Sequence, residues 1–421
     1  MINIKPNILK HSLFFEIFLW DDTGSKTRRD MKSKLIGSIL LIVGTSIGGG
    51  MLALPMANAA SGLIPSSVAL ILCWLLMTLG ALLILEVNLY LPPGKHMVSM
   101  AQKTLGLPGA IITWISYLLL LYTLLAAYIS GGSDVLSGIL SPLHVDLNNG
   151  QSTALFTLIF GAIVYGGINR VDYANRALMF MKLGIYVLLV VFIAPFVQLE
   201  HWTQSNPAAV PGSLMILITS FGFAIIIPNL RDYFEHDLSS LKRVIIIGSL
   251  IPLVCYFAWD AVIMGALETQ GAHGLISLTH DMHPTTSLAN QLANVIHNKY
   301  MDAFFRTFTS ICMLTAFLGV ALCLMSFLSD GLNLTRQGKE GFLLALLTFL
   351  PPFLLVLYFP GAYLSALSYA GILCVILLLI LPALMALAGR KRYARAFVVP
   401  GGRWTPVFIL VSSVGLLYLS A

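Results

Sequence analysis

The sequence predicts an all-α integral membrane protein with 11 transmembrane helices: a 5+5 inverted repeat, broken at helices 1 and 6, and one extra C-terminal helix. Three observations carry this. Of 421 residues, 58% are hydrophobic and 10% charged, where a soluble domain carries about 25% charged residues. Apolar runs recur along the whole chain, and Arg and Lys collect on alternate connections between them. The first and sixth runs are both interrupted near their middle by small residues and a proline.

In chain order, residues 1–33 read as a cytoplasmic tail. Its apolar patch, Ser12 to Trp20, is interrupted by Glu16, is too short to span a bilayer and has no small-residue cleavage site. Met31-Lys32-Ser33-Lys34 reads as a natural start. Runs of ~20 residues, enough to cross a bilayer, then fall at 34–60, 64–90, 108–133, 152–168, 177–198, 211–234, 243–266, 302–330, 341–359, 362–388 and 404–420. Residues 34–198 make the first repeat, 211–388 the second, and 404–421 the addition. The loop 267–301 contains an apolar stretch, Leu288 to Ile296, read as a short external helix.

Arg and Lys set orientation. One side collects Lys26, Arg28, Arg29, Lys32 and Lys34, then Lys95, Lys103, Arg170, Arg176, Arg231, Lys242, Arg243, Arg336 and Lys339, and finally Arg390, Lys391, Arg392, Arg395 and Arg403. The opposite loops hold only Lys299. The N-terminus is therefore expected in the cytoplasm and the C-terminus outside. The net charge of +6 is dispersed between apolar spans and makes no nucleic-acid patch. Cys73, Cys255, Cys312, Cys323 and Cys374 all lie in apolar runs and read as small core hydrophobes. No metal spacing and no cofactor motif occur.

The first run contains Gly44-Thr45-Ser46-Ile47-Gly48-Gly49-Gly50-Met51-Leu52-Ala53-Leu54-Pro55. Three successive glycines strip the backbone of side chains, and Pro55 removes an amide donor. Unpaired backbone at this depth is tolerated only against protein or around a cavity. In the sixth run, Ser220-Phe221-Gly222-Phe223-Ala224-Ile225-Ile226-Ile227-Pro228 has the same character. Paired interruptions five spans apart, in halves of opposite entry side, mark the binding site of a secondary transporter.

A helix restarting after Gly50 presents free amides and a positive dipole end, suited to a carboxylate. Carbonyls before the breaks suit an ammonium. Both together fit the head of an amino acid. The candidate substrate-binding residues are Thr45, Ser46, Gly48, Gly49, Gly50, Ser220 and Gly222, with Thr315 of span 8. Tyr122, Tyr128, Phe221 and Phe223 are either core residues or rings that stack on an aromatic substrate. Two ionisable groups are candidates for proton coupling, since charge inside a span is costly. Lys182 in span 5 either snorkels to the interface or points at span 1, where its ammonium takes the place of a sodium ion and loads and releases a proton. Glu86, beside Asn88 in span 2, is a structural or gating residue. Asp260 in span 7 is expected to pair with Arg306, and Asp330 and Arg231-Asp232 to pair at inner ends.

At these residues the chain resembles the hydroxy/aromatic amino acid permease family, in particular its bacterial tyrosine-specific permeases. The matching segments include Gly44–Pro55, Leu85-Glu86-Val87-Asn88-Leu89, Ala126–Gly131, Ser220-Phe221-Gly222-Phe223, Ile246–Val254, Phe317–Leu322, Leu347–Pro352, Pro360-Gly361 and Tyr369-Ala370-Gly371. The tryptophan permeases share much of this. The resemblance implies proton-driven uptake of an aromatic amino acid, tyrosine first, across the bacterial inner membrane, in the fold of the sodium-coupled leucine transporters. It also implies a lysine where Lys182 stands. Two departures stand out: Ala224-Ile225 replaces the family's His-Gly in span 6, and Met325-Ser326-Phe327-Leu328-Ser329-Asp330 replaces its Phe-Asp-Tyr-Leu-Ala-Asp in span 8.

Alternatives within the fold are tryptophan or serine/threonine as cargo, or sodium as the driving ion. A channel would need charged rings or repeated filter carbonyls, and a receptor would bind without flux. An enzyme would need a nucleophile and base or a metal set, which the spans do not supply.

Overall fold

Inside a bilayer each segment must satisfy its own backbone, and the chain does so with helices: among the described residues there is no strand. The structure is a computed structural model that describes residues 28–141, 144, 147–166, 168–234, 237–271, 274–296, 299–393 and 397–420. Of the expected N-terminal tail, residues 1–27, with Lys26, lie outside the described residues, as does Arg395. The side chains of Arg28, Arg29, Lys32, Arg170, Arg176 and Lys299 are likewise outside.

The first expected span is two helices, α1 (Arg28–Ser46) and α2 (Gly49–Asn58). From Lys34 onward they meet at 51° across Ile47-Gly48. The break sits at the first glycine of the triplet, and α2 runs on through Pro55. Span 2 is α3 (Leu63–Asn88). Ile64, Val68, Ile71, Leu72 and Leu75 of α3 are all exposed at helical spacing, an apolar face for lipid. Span 3 is longer than expected: α4 covers Met97–Leu140 and bends at Gly106, whose φ is +80°. Next come α5 (Asn149–Tyr165), with a capping box at Asn148 and Gln151, and α6 (Ile168–Ile193). A short helix, α7 (Leu199–Thr203), precedes span 6.

Span 6 does not open as span 1 does. It passes from α8 (Leu214–Ser220) through a 3₁₀ stretch (Gly222–Ile226) into α9 (Ile227–Phe234). Pro228 falls in the first turn of α9, where its missing amide costs nothing. The interruption is thus a tightened coil rather than a gap. The chain continues with α10 (Leu238–Ala266), the short α11 (Pro284–Ile296), α12 (Lys299–Leu332), α13 (Gly338–Tyr358) and α14 (Tyr363–Cys374). The tenth span holds a π-helical turn (Val375–Ile380) before α15 (Leu381–Gly389), whose Pro382 is at the helix start. Single π turns are often found at functional sites. The last helix is α16 (Trp404–Ser420).

Eight helices are long and apolar enough to cross a membrane among the described residues, and the bent pair α1–α2 makes a ninth. The helices α5 and α16, at 17 residues each, are shorter. A short helix is present where one was expected near Leu288, and it starts earlier, at Pro284. Its start is capped by Asp134 of α4: Oδ2 accepts from the Thr285 amide at 3.0 Å, the Thr286 amide at 3.2 Å and the Thr285 hydroxyl. His283 Nδ1 lies 3.3 Å from the other carboxylate oxygen.

The apolar interior divides in two. One cluster surrounds the breaks and joins α1, α2, α3, α8 and α10 with the tenth span. The other joins α4, α5, α12 and α13 around Leu125, Phe156, Phe317 and Leu344. The breaks themselves lie where α2, α8, α4 and α14 pack together.

Candidate functional site

The two interrupted segments touch. A Cβ added at Gly50 would stand 3.0 Å from Ser220 Oγ and 3.3 Å from its Cα, so any other residue would have to push Ser220 back by a few tenths of an ångström. Helix α2 begins at Gly49, and its N-cap, Gly48, has no side chain to offer. The Met51 amide turns back to the Gly48 carbonyl at 3.2 Å, which leaves the amides of Gly49 and Gly50 to find a partner elsewhere. Beside them Ser46 is 4% exposed, and its Oγ has no hydrogen-bond partner among the described residues.

The opposite polarity is provided by the last carbonyls of α1 and α8. The Tyr256 hydroxyl of α10 lies 2.6 Å from the Ser46 carbonyl and 2.7 Å from the Ser220 carbonyl. It has one proton for two acceptors. Its ring packs edge-on against Phe221, centroids 5.1 Å apart. A second tyrosine, Tyr363 of α14, donates to the Gly49 carbonyl. Neither tyrosine was marked as a site residue from sequence. Each is a fully buried ring with a polar tip in an apolar helix, and a buried hydroxyl requires an acceptor; that is the signal that was there to use.

Lys182 of α6 points inward and is 1% exposed. Its Nζ donates to the Ile47 carbonyl at 2.5 Å and stands 3.5 Å from both the Gly44 carbonyl and Thr315 Oγ1. The ammonium therefore ties the end of α1 to α12. Thr315 itself donates to the Ile311 carbonyl of its own helix at 2.8 Å. Thr45 does likewise, to Ile42 at 2.8 Å.

Of the expected residues, the structure brings together Ser46, Gly48, Gly49, Gly50, Ser220 and Phe221, with Tyr128 against Gly49 and with Thr45, Lys182 and Thr315 alongside. A Cβ at Gly49 would come within 2.6 Å of the Tyr128 ring. Phe223 is buried in the 3₁₀ stretch, and Gly222 is half-buried near Cys374.

Two expected residues are engaged elsewhere. The Tyr122 hydroxyl donates to the Leu347 carbonyl of α13 at 2.7 Å, and its ring packs on the second apolar cluster. Tyr122 and Tyr128 are six residues apart, which on a helix turns them about 120° from each other. Glu86 is fully buried in an ion pair with Arg390, Oε1 to Nε at 2.6 Å. The expected Asp260–Arg306 pair is not formed. Asp260 Oδ2 accepts from Asn58 Nδ2 at 2.7 Å, and Arg306 donates to the Gly138 carbonyl and to Asn290. At the ends of α3 and α9, Arg231 donates to the Asn88 carbonyl at 2.5 Å and to its Oδ1 at 2.8 Å, and Asp232 accepts from the Gly94 amide. The cysteines are free, and no group of metal-ligating side chains occurs among the described residues.

The bridging hydroxyl gives a direct prediction. Tyr256→Phe keeps the ring and leaves two buried carbonyls without their donor, at about 1–3 kcal/mol for an unmet buried group. Substrate affinity and initial uptake rate, normalised to protein in the membrane, are expected to fall by about tenfold, and the melting temperature to fall with them.

Residues 31–420 match the model of the tryptophan/tyrosine permease family. The chain is 31% identical to "Tyrosine-specific transport system 2" of Haemophilus influenzae, over 92% of this chain and 96% of that one. It is 31% identical to "Glutamine transporter 2" of Aliivibrio fischeri, over 86% and 91%. To the "Tryptophan-specific transport protein" of Pseudomonas aeruginosa it is 30% identical, over 91% and 93%.

Proposed function

The chain belongs to the tryptophan/tyrosine permease family, amino acid transporters of the membrane and not enzymes, and from that premise we propose that it imports an aromatic amino acid, tyrosine first, driven by protons. The observation that carries this is the pairing of opposite polarities at one contact between two interrupted spans. The open amides of α2 and the unpartnered Ser46 hydroxyl receive the carboxylate. The Ser46 and Ser220 carbonyls share one Tyr256 proton, and the substrate's ammonium supplies the donors they lack. Tyr128, Phe221 and the half-buried Gly222 give the ring its surroundings.

Movement follows from what holds α1. In its ammonium form Lys182 bonds the Ile47 carbonyl and reaches Thr315, and so fastens α1 to α12. Release of its proton slackens that tie and lets the broken span change angle, which alternates access. Proton rather than sodium is favoured because a lysine cation already occupies the carbonyl cluster at the end of α1. We read the 17-residue helices α5 and α16 as two further crossings beside the eight long spans and the bent pair, a reading that gives two inverted five-helix repeats and one addition. The distribution of Arg and Lys supports a cytoplasmic N-terminus and a location in the bacterial inner membrane.

Relatives at nearly the same identity bear tryptophan and glutamine in their names, so the test must compare cargoes. Purified protein in vesicles is given labelled tyrosine with a pH gradient or a sodium gradient imposed separately. Accumulation with the pH gradient alone is expected, with tryptophan competing more weakly, and glutamine, serine and threonine competing little. Accumulation that requires sodium, or stronger competition by glutamine, overturns the reading.

A further inference from the structure

The last residue of α2 and the middle of the outer part of α10 form a pair that the transport scheme above does not use. Asn58 is 0% exposed and Asp260 3%. The amide nitrogen of Asn58 donates to Asp260 Oδ2 at 2.7 Å, while Asp260 Oδ1 and Asn58 Oδ1 are both buried with no hydrogen-bond partner. Each residue thus keeps one oxygen in need of a donor. A carboxylic acid and a primary amide satisfy each other completely only when the acid carries its proton: the amide N–H bonds one acid oxygen, and the acid O–H bonds the amide oxygen. With the proton absent, a charge would sit buried on a single hydrogen bond.

The neighbours supply no counter-charge. Trp259 is enclosed by Phe305, Phe308 and Tyr186, at ring separations of 6.0, 5.4 and 6.1 Å. Tyr186 of α6 donates its hydroxyl to the Cys255 carbonyl. On α7, the His201 ring nitrogen meets the Gly265 carbonyl, and Trp202 donates to the Ala261 carbonyl. Among the described side chains on other elements packed against α10, Lys182 bonds Ile47, Arg231 bonds Asn88 and Lys34 lies over the Tyr233 ring. Among the described residues no lysine, arginine or histidine forms an ion pair with Asp260.

We propose that Asp260 and Asn58 form a proton-binding site, an acid–amide pair whose occupancy holds the far end of α2 against α10. Loading adds a proton from water to a carboxylate oxygen, forming one O–H bond, and release returns it to water; nothing else is consumed. In the proposed scheme the broken span changes angle, and losing the proton separates the pair, hydrates the carboxylate and frees α2 from α10. As a second proton site for the same transport, this rests on the proton-driven reading, and the experiment separates the two.

Wild type and Asp260→Asn are compared in vesicles and by infrared difference spectroscopy. Asn at 260 retains a neutral partner with one donor and one acceptor facing Asn58, so folding is expected to survive. In wild type, a gradient of one pH unit, with membrane potential clamped and each of the two sites cycling one proton per substrate, gives about 100-fold accumulation. In Asp260→Asn, with Lys182 alone left to couple, accumulation is expected to fall about tenfold. Near neutral pH the wild-type spectrum is expected to show a protonated-carboxyl carbonyl band that the variant lacks. Accumulation undiminished in the variant, or a wild type without that band, overturns the proposal. If wild type shows no proton-driven accumulation but keeps the band, the transport reading fails and the protonated pair stands. Should Asp260→Asn not fold, Asn58→Ala decides through the spectrum: a shift of the acid band supports the pair, and an unmoved band overturns it.

Discussion

Lys182→Ala is expected to abolish accumulation of substrate against a gradient, lowering concentrative uptake by about 100-fold. Its Nζ is the cation at the carbonyl end of α1, 2.5 Å from the Ile47 carbonyl and 3.5 Å from that of Gly44. Helix C-termini carry partial negative charge, so a cation there is favoured. Hydrogen bonds to charged groups contribute about 1.5–3 kcal/mol, and each 1.4 kcal/mol is about tenfold. Alanine also leaves the volume of a fully buried lysine empty between α1 and α12. Lys182→Arg separates charge from proton exchange, because arginine stays charged at any working pH. That variant is expected to bind substrate and to lose acceleration by an imposed pH gradient. Uptake in energised vesicles and substrate-dependent thermal shifts on the same preparations check both. Concentrative uptake by Lys182→Ala would remove the lysine from the coupling scheme.

Arg390→Ala is expected to produce the largest loss of stability, about 3–5 kcal/mol, the usual cost of leaving one partner of a buried ion pair alone. Glu86 is 0% exposed, and both its oxygens are committed. Oε1 accepts from Arg390 Nε at 2.6 Å and from the Tyr90 hydroxyl at 2.8 Å; Oε2 accepts from Arg390 Nη2 at 2.7 Å and from the Val399 amide at 2.9 Å. Arg390 also donates to the Gly402 carbonyl at 2.5 Å. One carboxylate thus gathers the end of α3, the end of α15 and the link to α16. Removing the guanidinium strands a buried charge in the same place. Glu86→Gln keeps the shape without the charge and is expected to cost less. Melting of the detergent-solubilised variants, followed by size-exclusion chromatography at rising temperature, ranks the three proteins. Equal melting of Arg390→Ala and wild type would show that the network does not support the fold.

What the sequence disclosed was local. Three glycines in a row inside an apolar run cannot be a regular membrane helix without compensation, and α1 and α2 do part there. The prolines misled about position: Pro55 sits within α2, and Pro228 in the first turn of α9. Both are tolerated by helices whose interruption lies upstream. Span 6 could not be distinguished from span 1 because 3₁₀ and unwound backbone share the same composition. Lys182 was legible as an ionisable group that required a reason, though its acceptors, over 130 residues away, were not. Asp260 was noticed for the same cause and misassigned, since its partner lies 202 residues away in sequence and is an amide rather than a cation. Tyr256 and Tyr363 were hidden because a tyrosine in an apolar run reads as core until an acceptor is seen. Tyr122 was grouped with Tyr128 by composition alone, and helical phase separates them.

The borrowed cap on α11 constrains how any outer gate operates. The first turn of that helix is closed by a carboxylate rooted in α4, through Thr285, Thr286 and the nearby His283. Pulling the short helix away by itself would abandon Asp134 in an enclosed place and uncover amides at the same moment. The cheaper motion keeps the two together. The short helix is therefore less a hinged flap than an extension of α4, and whatever tilts one carries the other.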